Sequence, residues 1–158
     1  MNGISKKTKV CFTASTGGHF EQLMMLMPLM EKYDSFVITE KTNYNIDLEN
    51  IRSYTVSQIN RSEKLLILKL LKISASSFYI FLKERPDFVI STGVLATIPI
   101  SLIAKLFGKK IIYIESFAKV SSPTLTGKLM YKFADQFYVQ WEPMLKHYPE
   151  AIFLGGIY

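Results

Sequence analysis

An apolar run that ends in two glycines and a histidine sets the terms for the N-terminal part of the chain. Val10 to Ala14 reads as a buried strand, Ser15-Thr16-Gly17-Gly18-His19 as the turn after it, and Phe20 to Lys32 as a helix. A strand, a Gly-Gly turn and a helix start open a βαβ unit, which calls for a parallel sheet covered by helices. The two glycines let backbone come close to a ligand, and the unpaired amides and dipole of the first helical turn favour an anion there. The substrate's phosphates are therefore expected at Thr16, Gly17 and Gly18. His19, at the helix mouth, is the one side chain there able to exchange protons near neutral pH. Its purely structural alternative is a helix-start histidine bonded to local backbone. The run is neither the full GxGxxG fingerprint nor a Walker loop, which needs Lys-Ser or Lys-Thr after the last glycine.

Further along, strand and helix patterns alternate. Ser35 to Thr39 and Tyr54 to Val56 read as strands, with a polar loop from Glu40 to Glu49 between them. Lys64 to Lys83 reads as a long helix, then Phe88 to Ser91 as a strand whose exit turn is Thr92-Gly93. A helix follows from Ala96 to Phe107, with Pro99 in its first turn and Gly108 as its C-cap. Lys110 to Ile114 is the next strand, Thr124 to Phe133 a short helix, and Gln136 to Val139 and Ala151 to Leu154 the last strands. The expected fold is α/β, a Rossmann-like doubly wound parallel sheet in a single domain over 1–158.

Two helices have unusual outer faces. In the first, Leu23, Leu26, Met27 and Met30 form a core-facing stripe, which leaves Met24, Met25 and Pro28 opposite, with a kink expected at Pro28. That outer face is either packed on another helix or an apolar patch for a partner or membrane. In Lys64 to Lys83 the residues Lys69, Lys72, Ser76 and Lys83 gather in one narrow stripe, leaving most of the circumference apolar. Two mid-helix lysines would each cost about 2.5 to 3.5 kcal/mol at a bilayer centre, so the helix should not span. Either its outer flank touches a membrane while Lys69 and Lys72 reach anionic head groups, or it is buried on both sides. On the first alternative Met24, Met25, Lys69 and Lys72 are membrane contacts.

Composition narrows the partners. Of 158 residues 49% are apolar and 20% charged, which excludes a disordered chain. A mean hydropathy of +0.17 suggests surface that something else covers. A net charge of +6 and a pI near 9.3 favour an anionic partner. Scattered lysines without stacking motifs argue against nucleic acid. Cys11 is the lone cysteine, and His19 and His147 are far apart, so no disulfide, metal or cofactor is expected. Met1 to Lys9 is basic, and the apolar run after it is too short for a signal peptide or anchor, which makes the cytosol the default compartment.

In a doubly wound sheet the ligand crevice lies outside the carboxyl ends of the strands, at the switch point. Three turns meet there: Gly17-Gly18-His19, Thr92-Gly93 and Glu115-Ser116. Gly93 allows close backbone approach, Thr92 and Ser116 offer hydroxyls, and Glu115 either bonds sugar hydroxyls and acts as a base or caps a nearby loop. The site suits a phosphorylated hydroxyl compound.

Four ordered motifs, Ser15-Thr16-Gly17-Gly18-His19, Val89 to Gly93, Tyr113 to Ala118 and Val139-Gln140-Trp141-Glu142, together resemble one family. It is the acceptor-binding subunit of split GT-B glycosyltransferases, namely the bacterial polysaccharide-biosynthesis galactosyltransferase enhancers and their eukaryotic relative in dolichol-linked oligosaccharide assembly. The resemblance runs from Lys9 to Tyr158 and extends to the N-terminal half of the fused bacterial enzyme that adds N-acetylglucosamine to a lipid-linked muramyl-pentapeptide. It implies that Gly17, Gly18 and His19 face an acceptor's pyrophosphate and sugar, with His19 considered as the base, and that Gly93 and Glu115 line the same cleft. Thr92-Gly93 has one glycine where the fused enzyme has a richer loop. The resemblance also implies a separate UDP-sugar-binding partner of the GT-B C-terminal type, with Leu154 to Tyr158 where a linker to such a domain would begin. The acceptor it implies is a polyprenyl-pyrophosphate sugar, met peripherally at the cytoplasmic face of the membrane.

The expected function is thus an acceptor-binding, membrane-associated subunit of an inverting transferase in polysaccharide biosynthesis, with His19 and Glu115 as catalytic candidates. Its rivals are a non-catalytic scaffold that holds the catalytic partner at the membrane and a free-standing nucleotide-binding domain.

Overall fold

The computed structural model describes residues 7–42, 48, 50–60 and 62–158. Seven strands form one sheet: β1 (Lys9–Thr13), β2 (Asp34–Glu40), β3 (Arg52–Val56), β4 (Phe88–Ser91), β5 (Lys110–Ile114), β6 (Gln136–Val139) and β7 (Ile152–Phe153). Their order is β3-β2-β1-β4-β5-β6-β7, and every pair is parallel. The chain steps outward from β1 in one direction, then returns to its other side for β4, so the switch point lies between β1 and β4. Phe12 shows how central β1 is, pairing with Val37 on one side and Ile90 on the other.

Parallel strands covered on both faces should be apolar along their middles, and β1 is at Val10 to Phe12 and β2 at Phe36 to Ile38. Successive residues feed opposite cores. Cys11, Phe36 and Ile38 join one cluster with Ile73, Ile80, Phe81 and Ile100, while Val10, Phe12 and Val37 join the other with Leu23 and Met30. Wholly buried side chains such as Phe12, Ile73 and Ile111 each contribute about 1.5 to 3 kcal/mol relative to exposure.

The helices are α1 (Gly18–Met24), α2 (Met27–Met30), α3 (Leu66–Glu84), α4 (Ile98–Leu106) and α5 (Leu125–Met130), with 3-10 turns at Leu95–Thr97 and Glu142–Lys146. The helix expected from Phe20 to Lys32 is two helices, and the break falls at Met25-Leu26 rather than at Pro28. Pro28 sits in the first turn of α2, where its missing N–H removes no helical bond. The helix α3 ends where Arg85 takes a left-handed φ of 50° and returns its N–H to the Phe81 carbonyl, and Pro86 blocks further turns. The expected loop at Glu40 to Glu49 falls largely outside the described residues, but Glu40 itself belongs to β2.

At the amino end of the sheet, an ion-pair network binds β1, β2, β3 and α3. Buried Glu84 takes Lys9 Nζ at 2.9 Å, Arg52 at 3.3 Å and the Tyr54 hydroxyl at 2.5 Å, while Arg52 also meets Asp34 at 2.6 Å. Burial alone would raise the Glu84 carboxyl's pKa, but these partners hold it below the usual range. The network ties the amino ends of β1, β2 and β3 to the end of α3.

Candidate functional site

The turn after β1 is shaped by Gly17. Its φ of 68° is a left-handed conformation, and its carbonyl accepts the N–H groups of Phe20 at 2.8 Å and Glu21 at 3.0 Å to start α1. A Cβ at Gly17 or Gly18 would meet nothing within 4 Å, so Gly17 is required by its backbone angle rather than by crowding. Both glycines are exposed, and Thr16 is half-buried.

The half-buried ring of His19 is pinned across the switch point. Its Nδ1 lies 2.8 Å from the Thr92 carbonyl, and the Thr92 hydroxyl donates back to the His19 carbonyl at 2.9 Å. A carbonyl only accepts, so Nδ1 carries the proton and Nε2 keeps the lone pair in the neutral ring. Gly93 makes room for this contact. It has a φ of +95°, and a Cβ there would stand 3.5 Å from His19 Nδ1 and 3.2 Å from the Tyr113 hydroxyl.

The second and third turns brace the first instead of presenting ligand groups. Thr92 is 0% exposed with its hydroxyl spent on His19. Gly93 donates its N–H to Ser91 Oγ at 3.1 Å and accepts the Ser15 N–H at 2.9 Å, so its backbone is occupied too. Ser116 gives its N–H to Glu115 Oε1 at 2.9 Å. The Thr92 hydroxyl and the Gly93 backbone, expected on a phosphate, are buried and make contacts within the protein, and Ser116 is buried with its N–H on Glu115.

Glu115 follows the same rule. It is 1% exposed, and its carboxylate accepts the Ser116 N–H, the Thr124 N–H at 3.2 Å, the Thr124 hydroxyl at 2.9 Å and the Tyr148 hydroxyl at 2.9 Å. Thr124 in turn caps α5 by accepting the Gly127 N–H at 2.7 Å. Gly127 has no room for a side chain, since a Cβ would collide with the Glu115 carboxylate. The loop-ordering alternative for Glu115 is therefore the one its geometry supports. Burial, then the neighbouring Glu115 charge, push the Tyr148 hydroxyl far above its ordinary pKa.

Two buried glutamines tie these loops to the rest of the site. Gln140 donates to the Glu115 carbonyl at 2.8 Å and accepts the Ile157 N–H at 2.9 Å, and Gln22 of α1 accepts the Phe117 N–H at 3.2 Å. Gln22 is not visible in sequence patterning, and Gln140 entered only within the Val139 to Glu142 motif. Glu40 is another residue that sequence reasoning missed, having been assigned to a loop. It is buried at the end of β2 and accepts the Ile59 N–H at 3.1 Å. Burial raises the pKa of its carboxyl, and the N–H groups of Ile59 and Thr16 and the His19 charge oppose that rise without cancelling it.

The expected membrane residues fall on two sides. Met24 packs against the core cluster that holds α1 and α2, and Met25 beside it is 46% exposed. Lys69 and Lys72 lie on α3, across the sheet, so a flat surface that takes α3 leaves the methionines out. Lys72 is exposed, and Lys69 pairs with Glu63. Beside the lysine stripe, Ile67 (74% exposed), Leu68, Leu71, Phe78, Tyr79 and Leu82 make an apolar surface that α4 continues through Leu106 and Phe107. Among the described residues, no helix is long and apolar enough to cross a membrane, and no cluster of three or more His, Cys, Asp or Glu side chains is placed to hold a metal.

The fold is that of the N-terminal half of GT-B enzymes. MurG of Acinetobacter baumannii superposes with a TM-score of 0.70 at 20% identity, covering 86% of this chain and 42% of that one. UDP-GlcNAc 2-epimerase of Neisseria meningitidis gives 0.71 at 15%, covering 95% and 47%. In sequence, the mouse UDP-N-acetylglucosamine transferase subunit ALG14 is 37% identical over 87 residues, 51% of this chain and 40% of that protein. A Staphylococcus saprophyticus UDP-N-acetylglucosamine--N-acetylmuramyl-(pentapeptide) pyrophosphoryl-undecaprenol N-acetylglucosamine transferase is 29% identical over 165 aligned positions, 94% of this chain and 45% of that enzyme. The chain thus spans less than half the length of these relatives. Residues 30–157 match the family model described as oligosaccharide biosynthesis protein Alg14 like, and the chain belongs to that family.

Proposed function

We propose that this chain is the acceptor-binding subunit of a two-component, inverting UDP-sugar glycosyltransferase, of the galactosyltransferase-enhancer branch, acting on a polyprenyl-pyrophosphate-linked sugar in polysaccharide biosynthesis. The observation that carries this reading is the His19 ring, held by Thr92 at Nδ1 beside an exposed glycine turn. Two of the named relatives support it, one a UDP-N-acetylglucosamine transferase subunit and the other a pyrophosphoryl-undecaprenol N-acetylglucosamine transferase.

A second chain supplies the UDP-sugar. The acceptor hydroxyl attacks the anomeric carbon from the face opposite UDP, so a C–O bond forms as the bond to the departing phosphate breaks. The hydroxyl proton passes to His19 Nε2. The resulting imidazolium is stabilised through Nδ1–H by the Thr92 carbonyl. The exposed backbone of Gly17 and Gly18 faces the acceptor's diphosphate, with half-buried Thr16 beside them. Glu115, Gln22 and Gln140 are positioning residues that hold the surrounding loops. The subunit works peripherally at the cytoplasmic face, with the apolar flank of α3 and Lys72 against anionic lipid.

The test is His19→Ala and His19→Asn in the co-expressed pair. Asn keeps an N–H donor for the Thr92 carbonyl but no base. Both variants should lose about 10²- to 10⁴-fold in turnover. Full turnover with an unchanged acceptor KM in both would refute the role of His19 and leave the chain as a scaffold for its partner.

A further inference from the structure

A cavity of about 730 Å³ opens at the carboxyl edge of the sheet, on the α3 face, between the loop before α3, the turn at Val94-Leu95 and the loop before α5. That is the size of pocket that takes a drug-sized ligand. It adjoins His19 through one peptide, since Gly93 lies against the His19 ring and Val94 lines the cavity. Part of its wall is apolar, from Ile59, Val94, Leu95, Pro123 and Leu125, and polar or charged side chains make up the rest.

Most of the polar side chains in its lining are already engaged. The Asn60 side-chain carbonyl accepts from Ser62, Glu63 accepts the Asn60 N–H and pairs with Lys69, and the Thr124 hydroxyl serves Glu115 and Gly127. A sugar needs several free, convergent polar groups. The Gln58 amide and the Lys119 ammonium have no side-chain partner among the described residues, so beside its apolar side chains the cavity offers one amide and one cation. That combination suits an apolar chain with a phosphate at one end.

We propose that this groove seats the first isoprene units of a prenyl diphosphate, with Lys119 on the phosphate next to the lipid. The proposal rests on the reading that the chain binds a lipid-linked acceptor, and it adds where the lipid leaves the site. The chain runs from the glycine turn past Val94 and between Leu95 and Leu125. Beyond Lys69 the groove meets the lysine stripe of α3 and the exposed apolar surface next to it.

Methyl and amide NMR of the whole chain, with farnesyl diphosphate, inorganic diphosphate and a short-chain phosphatidylglycerol as probes, tests this. Farnesyl diphosphate should shift the methyls of Ile59, Val94, Leu95 and Leu125 saturably, and bind at least tenfold more tightly than inorganic diphosphate. Exposed Leu125 and half-buried Lys119 allow Leu125→Glu and Lys119→Glu, each expected to weaken farnesyl diphosphate at least tenfold with an unchanged urea midpoint. The proposal is overturned by wild-type affinity in both variants, by shifts confined to Leu68 and Leu71, or by phosphatidylglycerol binding the groove as tightly. Failure of the parent reading looks different: neither diphosphate would move the amides of Gly17, Gly18 and His19, even with the groove occupied.

Discussion

Glu115 offers the sharpest test of how the site is built. If its carboxylate orders the loop before α5, removing it damages stability first and transfer only as a consequence. Glu115→Ala strands the Ser116 and Thr124 N–H groups and the hydroxyls of Thr124 and Tyr148. A buried, unsatisfied group costs about 1 to 3 kcal/mol. Taking the low end for each, because water can enter the space left behind, gives a loss of about 4 kcal/mol. Glu115→Gln keeps one acceptor oxygen but turns an NH₂ against existing donors, for a loss of about 2 kcal/mol. With a urea slope of about 2 kcal/mol per molar, the midpoint should fall by about 2 M for Ala and about 1 M for Gln. Tyr148→Phe removes one of the donors and should cost about 1 kcal/mol alone but little more on top of Glu115→Ala, as expected for partners in one network. The assay is equilibrium urea unfolding, with transfer measured in parallel on the fully folded fraction. A Glu115→Gln protein that unfolds at the wild-type midpoint yet has lost transfer would refute this account and return Glu115 to the chemistry.

Three further outcomes follow from the same geometry. Gly93→Ala should reduce transfer sharply and cost about 1 to 2 kcal/mol by urea unfolding, because an L-residue at φ +95° is strained and its Cβ presses on the His19 ring and Tyr113 hydroxyl; an active, equally stable variant would show that this packing is dispensable. Burial pushes the Asp135 carboxyl up, but the Ile111 N–H together with Lys105 and Lys110 outweighs it and holds the pKa at about 2. The unfolded pKa is about 3.9, so the contribution is complete above about pH 4 and fades as pH falls towards about 2. Asp135→Asn should therefore cost about 1 kcal/mol at pH 7, discounted for solvent screening, and close to nothing at pH 2; a cost independent of pH would contradict the assignment. Lys72→Gln should weaken sedimentation with anionic liposomes about fivefold, from about 1 kcal/mol per lysine near the surface. Lys69→Glu with Lys72→Glu should weaken it further, and unchanged sedimentation would remove α3 as the contact face.

The strands were legible because a parallel sheet buried on both faces leaves an unmixed apolar signature. Val10 to Ala14, Phe88 to Ser91 and Lys110 to Ile114 match observed strands to within a residue or coincide with them. The break in the first helix was misplaced because proline was judged by its usual cost in a helix interior, whereas Pro28 stands where that cost vanishes. The polar residues of the site were found as types but not as roles. Whether Thr92 faces a ligand or His19 is decided by a partner 73 positions away, and whether Glu115 faces a sugar or Tyr148 by one 33 away. No local period encodes such pairings. Glu40 escaped for a related reason, since an acidic residue at the end of an apolar run reads as the start of a loop until its Ile59 partner is known.

The buried pairings also explain why so little of this site is free to meet a substrate. Thr92, Gly93, Glu115, Gln22 and Gln140 spend their polar groups on one another and on backbone. What remains outward at the first turn is the His19 ring and the backbone of Gly17 and Gly18, since the Thr16 N–H is taken by Glu40. A base on a rigid mount can accept a proton, but it cannot by itself orient a sugar acceptor or hold a nucleotide leaving group. Those tasks need further convergent donors, and this edge has already committed most of its own inward. A half-cleft of this kind gains chemistry only when a second wall supplies what it lacks, which is why we expect the His19 variants to show their full effect only in the presence of a UDP-sugar-binding chain. An isolated subunit that transferred sugar as fast as the pair would defeat that expectation directly.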